Sequence, residues 1–279
     1  MRRSLLFIPA NNPAMMQNAM LFQADGIIFD LEDAVSLADK DSARHLLHGF
    51  LTTHSFQNEV VVRINGLDTP YGVPDLEAIV SDAIDTIMLP KADYASLLEL
   101  DSLLTKLEAK MKKTIHVLPI IELATSLLEV TRIAASPRVD GLLLGAEDLT
   151  RDLEVERSSD GLEILFARNQ VAVACKANRI DAIDTPFTNT NDEEGLKSDC
   201  LLARKLAMNA KACIHPNQIP IVNQAFSPSK ETIKWALKVL EAAKKNTAGA
   251  FSLEGKMIDK PIIERSEKTI AKAKKFGLL

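Results

Sequence analysis

Eight short apolar runs, each ending at a polar or charged residue and each set about one helix length from the next, constrain this chain more than any other feature. In order they are SLLFIP before Asn11, GIIFD before Glu32 and Asp33, VVVRIN with Arg63 and Asn65, TIMLP before Lys91, HVLPII before Glu122, GLLLG before Glu147 and Asp148, IDAID before Thr185, and ACI before His215. Short apolar runs without strict alternation suit strands buried on both faces, as in a parallel sheet covered by helices. Between them, ASLLELDSLLTKLEAKMKK and the segment from IEL to SPR carry apolar residues at helical spacing. Strand, helix, strand repeated in this way predicts an α/β chain folded as a closed (β/α)8 TIM barrel. Its chemistry is then expected at the rim formed by the strands' C-terminal ends.

Length and charge narrow the possibilities. The 279 residues, 47% of them hydrophobic, suffice for one barrel of about 250 residues and a short appendage. A boundary is expected where SPSK offers Ser227 or Ser229 as a helix cap with Glu231 in the first turn. The reading is a catalytic barrel over 1–226 and a helical arm over 227–279. A net charge of −5 and the lack of a basic stripe argue against nucleic acid, and the basic residues from Lys268 to Lys275 read as a solvated helix face. Cys175, Cys200 and Cys213 show no ligand-like spacing, which points to a reducing, cytoplasmic compartment. The first apolar run is broken by Pro9 and is too brief to cross a membrane or to act as a signal peptide. No Gly-x-Gly-x-x-Gly follows a strand and no phosphate loop is present, so nucleotide chemistry is not expected.

The carboxylates carry the chemistry. Glu122 closes the fifth run and Asp148 follows the sixth, which places both on neighbouring strands at one rim. Two adjacent carboxylates repel unless neutralised, and without a nearby His or Cys the fitting neutraliser is a hard divalent cation, Mg²⁺, with water and substrate completing its shell. Pairing with Lys or Arg is the alternative, and Glu147 could replace Asp148 as ligand. Arg63 lies within an apolar run, where an unpaired guanidinium is costly. It is expected to meet a substrate carboxylate or a developing oxyanion, or else to pair with the acids of LEDAV. Asn11 and Lys91, with Arg63 and Glu122, are read as substrate contacts, and Arg3 as a further strand-end cation. Asp30 is assigned to stabilising the barrel mouth, and Glu32 and Asp33 to backing a metal ligand or orienting basic partners. His215 is an acid, a base or a turn residue, and His45, His48 and His54 read as surface positions.

RRSLLFIPANNP, FDLEDAVSLADKDSAR, VVRINGLDTP, LPKAD, GAEDLTRDL, FTNTNDEEG, CIHPNQ and GKMIDKPIIERS occur in this order along nearly the whole chain. Together they resemble the citrate lyase β subunits of the malyl-CoA lyase and HpcH/HpaI aldolase superfamily. The resemblance implies a Mg²⁺-dependent lyase in which Glu122 and Asp148 match the metal ligands and Arg63 the substrate arginine. It implies cleavage of a citryl thioester, carried by CoA or an acyl carrier protein, to oxaloacetate and an acetyl thioester. It also implies a homotrimer, α and γ companion subunits, and a C-terminal arm that delivers Asp259 to a neighbour's site as the proton-transfer residue. Cleavage or hydrolysis of malyl or methylmalyl thioesters, or a non-catalytic acyl-carrier scaffold, are the rival readings.

Overall fold

The computed structural model describes residues 1–246 and 249–279, which form two compact units, Met1–Asn223 and Gln224–Leu279. In the first, the eight runs are the eight parallel strands of a closed barrel: β1 Ser4–Pro9, β2 Gly26–Asp30, β3 Glu59–Arg63, β4 Thr86–Leu89, β5 His116–Ile121, β6 Gly141–Leu144, β7 Asp181–Asp184 and β8 Ala210–Cys213. Each strand pairs with the next in sequence, and β8 closes on β1 through Leu5↔Ala212. The expected TIM barrel is therefore present. Its lumen is packed by Leu5, Ile28, Val61, Met88, Leu118, Ile120, Leu143, Ile183, Ala210 and Ala212, a side-chain core contributed by every strand.

The barrel helices are α1 Pro13–Ala19, α2 Lys40–Thr53, α3 Gly72–Ile79, α4 Tyr94–Leu107, α5 Ala124–Leu128, α6 Val130–Ala134, α7 Ala146–Asp152, α8 Leu165–Asn178 and α9 Glu193–Lys205. Local chemistry starts them. Asn12 caps α1 by accepting from Met15 N, with Pro13 in the first turn, and Asp93 with Ser96 forms a capping box on α4. The helix expected after β5 is instead two short ones meeting at Glu129 (φ −95°, ψ 2°). Its apolar spacing survives the break, because Leu127, Val130, Ile133 and Ala134 are all buried.

At the N-terminal end of the barrel Arg2, 5% exposed, forks onto both oxygens of Glu59 at 2.6 Å and reaches Asp140 at 2.7 Å. Arg3 sits at the same end, paired with Asp25 at 2.7 Å, so the rim role expected for it is corrected: it precedes its strand, and the rim lies after it. Between β7, β8 and their flanking helices, Arg168, Asp184, Lys211 and Asp199 form a quartet with contacts of 2.5–3.0 Å, the first three fully buried. All three cysteines are free and buried, and burial pushes the Cys175 and Cys200 thiols up to about 12.

After α10 Gln218–Phe226, the second unit pairs α11 Lys230–Lys245 with α12 Lys260–Lys275 through Ile233, Ala236, Leu240, Ile270 and Ala273. Ser229 caps α11 by accepting from Thr232 N. Between the helices lies a hairpin, β9 Ala250–Leu253 and β10 Lys256–Asp259, inside the stretch that the sequence reading takes as a helical arm. Glu254 and Gly255, at φ 48° and 76°, make its two-residue turn with positive φ at both centres.

Candidate active site

The C-terminal ends of the strands surround a cavity of about 480 Å³ whose wall includes Phe7, Asp30, Asp33, Arg63, Glu122, Glu147, Asp148 and Thr185. Among the described residues lining it, five are carboxylates and Arg63 alone is cationic. Arg151 and Arg157 pair with Asp148 and Glu147 from outside this lining, and Arg63 pairs with Asp30 and Asp33, which leaves Glu122 as the lining carboxylate with no ion pair among the described residues and the place where a cation is attracted.

Glu122 follows β5 directly and is 3% exposed. Its Oε1 accepts from the backbone N–H of Lys91 at 2.6 Å. Burial, reinforced by the charges of Glu32 and Asp148, outweighs that hydrogen bond and pushes the carboxyl up to about 8. Across the β5–β6 pair, Gly145 leaves the room this side chain needs: a Cβ there would lie 2.7 Å from Glu122 Cβ and Oε2 and 2.8 Å from Ile120 Cγ2. Asp148 sits in the first turn of α7, and its carboxylate meets Arg151 at 2.6 Å. Two ties aim that helix: Ala146 N donates to the buried Thr185 Oγ1 at 3.2 Å, and Ala124 N donates to Asp152 at 2.7 Å. Glu147, more than half exposed, is engaged by Arg157 at 3.0 Å.

Among the described residues no three or more acidic, His or Cys side chains form a ready metal cage. Two carboxylates in one cavity, one of them buried with its charge poorly compensated, nevertheless fit Mg²⁺, which commonly takes one or two carboxylates and leaves its other positions to water and substrate.

Arg63 ends β3 on the other side of the cavity. Its Nε and Nη2 fork onto Asp30 at 2.7 and 2.6 Å, Nη1 lies 3.0 Å from Glu32 and 3.5 Å from Asp33, and the guanidinium lies 5.0 Å from the Phe7 ring centroid. Burial alone would lower its pKa. The hydrogen bond and charge of Asp30, with Glu32 and Asp33, more than reverse this and keep the group charged. Asp30 also accepts from Glu32 N and Ala34 N, so one carboxylate organises both the loop and the arginine.

Glu32 is buried, and Lys91 Nζ donates to its Oε1 at 2.8 Å. Behind the loop, Lys40 is 5% exposed and donates to the carbonyls of Leu31 and Glu32 at 2.8 and 2.6 Å, while Asn65 Nδ2 donates to Leu31 O at 3.0 Å. Sequence reasoning missed Lys40, because nothing in ADKDSAR marks a lysine that points inward.

The cavity thus brings together Arg63, Glu122, Asp148, Asp33 and Asp30, with the buried Glu32 and the exposed Lys91 outside the lining but bonded to Arg63 and Glu122. Asn11 is exposed in the turn after β1 and does not line it. His215 is also exposed and pairs with Asn217 at 2.7 Å. His45 and His48 are exposed, and His54 is half-buried on Phe50. Asp259 belongs to the second unit, where it caps α12 by accepting from Ile262 N at 3.2 Å.

A model of the HpcH/HpaI aldolase/citrate lyase family matches residues 3–216. The citrate lyase subunit beta of Leuconostoc mesenteroides subsp. cremoris is 43% identical, over 97% of this chain and 92% of that protein. Among solved structures, the protein CitE of Mycobacterium tuberculosis in complex with magnesium, acetoacetate and coenzyme A superposes with a TM-score of 0.82 at 34% identity, over 98% of both chains. The citrate lyase beta subunit of the same organism, complexed with oxaloacetate and magnesium, gives a TM-score of 0.70 at 32% identity over 81% of this chain and 97% of that one.

Proposed function

Because the chain belongs to the HpcH/HpaI aldolase/citrate lyase family, we propose that it is a Mg²⁺-dependent carbon–carbon lyase that cleaves a citryl thioester to oxaloacetate and an acetyl thioester. The observation that carries this reading is the cavity itself: Glu122 and Asp148 face one space with the charged Arg63, at the rim where barrel enzymes do their chemistry.

Glu122 and Asp148 would hold the cation. Once bound, Mg²⁺ supplies Lewis-acid polarisation and a template for the hydroxy acid and its keto product. Transfer of the substrate hydroxyl proton to water turns that C–O bond into a carbonyl as the adjoining carbon–carbon bond breaks, and the electron pair passes into the thioester as an enolate. Arg63 stabilises the enolate oxygen, a contribution on the order of 3 kcal/mol for a preorganised donor in a dry site. Protonation of the enolate carbon gives the acetyl thioester, and Asp259, with help from water as the source of the proton, is the proposed donor. Asp30, Glu32 and Asp33 keep Arg63 in place, and Asn11, exposed after β1, is assigned to the thioester arm.

Asp259 is proposed to serve a neighbouring copy within a homotrimer, its arm covering that copy's cavity. Charge supports this assembly: residues 224–279 carry twelve Lys and Arg against six Asp and Glu, a net +6, which leaves −11 on residues 1–223. CoA or an acyl carrier protein bears the citryl group, with α and γ subunits as companions. Among the described residues no helix is long and apolar enough to cross a membrane. With three buried free thiols, the proposed compartment is the cytoplasm.

The test is release of oxaloacetate from citryl-CoA on adding Mg²⁺ to the purified protein, with malyl-CoA and methylmalyl-CoA in parallel. Glu122→Ala and Asp148→Ala should each abolish release while the circular dichroism spectrum stays unchanged. Full activity in either variant removes the metal assignment. Faster turnover of malyl-CoA moves the substrate to that class, and no turnover of any thioester leaves a scaffold.

A further inference from the structure

Lys91 stands where the two halves of the site meet. Its backbone has φ +47°, a left-handed conformation that a lysine adopts only under constraint, and it is the residue whose N–H donates to Glu122 Oε1 at 2.6 Å. Its side chain runs to the other half, where Nζ donates to Glu32 Oε1 at 2.8 Å. The second oxygen of Glu32 lies 3.0 Å from Arg63 Nη1. One residue thus fixes the buried carboxylate with its main chain and shares the neighbour of the arginine with its ammonium.

The charges around Arg63 give this arrangement a purpose. Asp30, Glu32 and Asp33 contribute three negative charges within 3.5 Å of the guanidinium. Arg63, Lys91 and Lys40 answer them with three positive charges, Lys40 through the carbonyls of Leu31 and Glu32. Without the Lys91 ammonium the cluster is left one charge negative, beside the place where an anion has to develop, and Glu32 is left to Arg63 alone. A donor already engaged by protein carboxylates stabilises a growing oxyanion less well, because the field it presents to the cavity is weaker.

We propose that Lys91 is a positioning residue: its left-handed backbone orients Glu122, and its ammonium neutralises Glu32 so that Arg63 keeps its field directed at the substrate. This rests on the lyase reading above and departs from the expectation drawn from the sequence, since the lysine then acts through Glu122 and Glu32 and not by touching the substrate.

The experiment compares Lys91→Met, Lys91→Gly and Lys91→Arg in the full-length protein. All three keep the backbone N–H, and glycine also relaxes the left-handed conformation, which guards against a variant that fails only through misfolding. Calorimetric Mg²⁺ affinity should stay within about threefold of the parent in all three, and oxaloacetate affinity of the Mg²⁺-loaded protein likewise. In citryl-CoA cleavage, kcat should fall at least about tenfold in Lys91→Met and Lys91→Gly with KM nearly constant, and Lys91→Arg should recover most of it. A tenfold loss of oxaloacetate affinity or a raised KM at constant kcat shows direct substrate contact and overturns the proposal. Unchanged kcat in Lys91→Met overturns it too. If the parent binds Mg²⁺ and oxaloacetate but leaves citryl-CoA intact, the citryl assignment falls, and the positioning role is decided by the same comparison on whichever of malyl-CoA and methylmalyl-CoA turns over. Absence of all turnover overturns it.

Discussion

Glu122 is the side chain whose condition most depends on what occupies the cavity. Its folded pKa, near 8, lies above the unfolded value near 4.5, so the folded state holds its proton more tightly than the unfolded chain does. The sign follows: without Mg²⁺, stability is greatest below pH about 4.5 as far as this group is concerned, and declines as pH rises through 8. Thermal melts in chelator should show that decline, and Glu122→Gln should flatten it. Added Mg²⁺ should raise the melting temperature more at pH 8 than at pH 6, because at the lower pH it must displace a proton. A melting temperature indifferent to Mg²⁺ at pH 8 would count against the site. Glu122, Asp148 and Arg63 were legible in the sequence for one reason: each closes or follows an apolar run, and a barrel brings run ends together. Thr185 follows the seventh run and carries the same signal, but its bond to Ala146 N carries none, and Lys40, which donates to the carbonyls of Leu31 and Glu32, stands at no run end, so no residue pattern announces either bond.

At the scale of elements, the approach of β6 to the end of β5 is set by the missing side chain of Gly145. Gly145→Ala introduces a Cβ within 2.8 Å of Glu122 and Ile120, so one of them must move. Overpacking of this kind costs about 1–3 kcal/mol. The expected result is a loss of that size in urea denaturation, with Mg²⁺ affinity reduced at least about tenfold by calorimetry. An alanine variant that binds Mg²⁺ normally would show that Glu122 tolerates a different pose. Between β7 and β8, Lys211→Met would leave Asp184 and Asp199 with Arg168 as their remaining partner in the quartet. Breaking a buried pair in this way costs about 3–5 kcal/mol, which equilibrium unfolding would detect, and a change under about 1 kcal/mol would mean that the carboxylates find other partners. The strands of the barrel could be read because their apolar runs are long enough to stand out. The β9–β10 hairpin could not: its strands are four residues each, partly exposed, and joined by Glu-Gly in place of the more telling Asn-Gly. The break at Glu129 was hidden because the helical spacing continues across it.

For the whole molecule, the dominant fact is the opposition between a barrel unit of −11 and a C-terminal unit of +6. If copies associate through these surfaces, the assembly should loosen as screening grows, since the Debye length shrinks from about 8 Å at 0.15 M salt to about 3 Å at 1 M. Sedimentation velocity at low and high salt checks this, and a distribution unchanged over that range would mean that apolar contact holds the copies together. The state of the thiols offers a way to watch the arm directly. Cys175, Cys200 and Cys213 are all buried, and burial suppresses their ionisation, so in the folded protein none competes for a maleimide. A single cysteine placed at the exposed Ser252, on the hairpin of the second unit, therefore becomes the sole handle for a fluorophore. The native chain is ready for site-specific dye attachment with no cysteine removed beforehand.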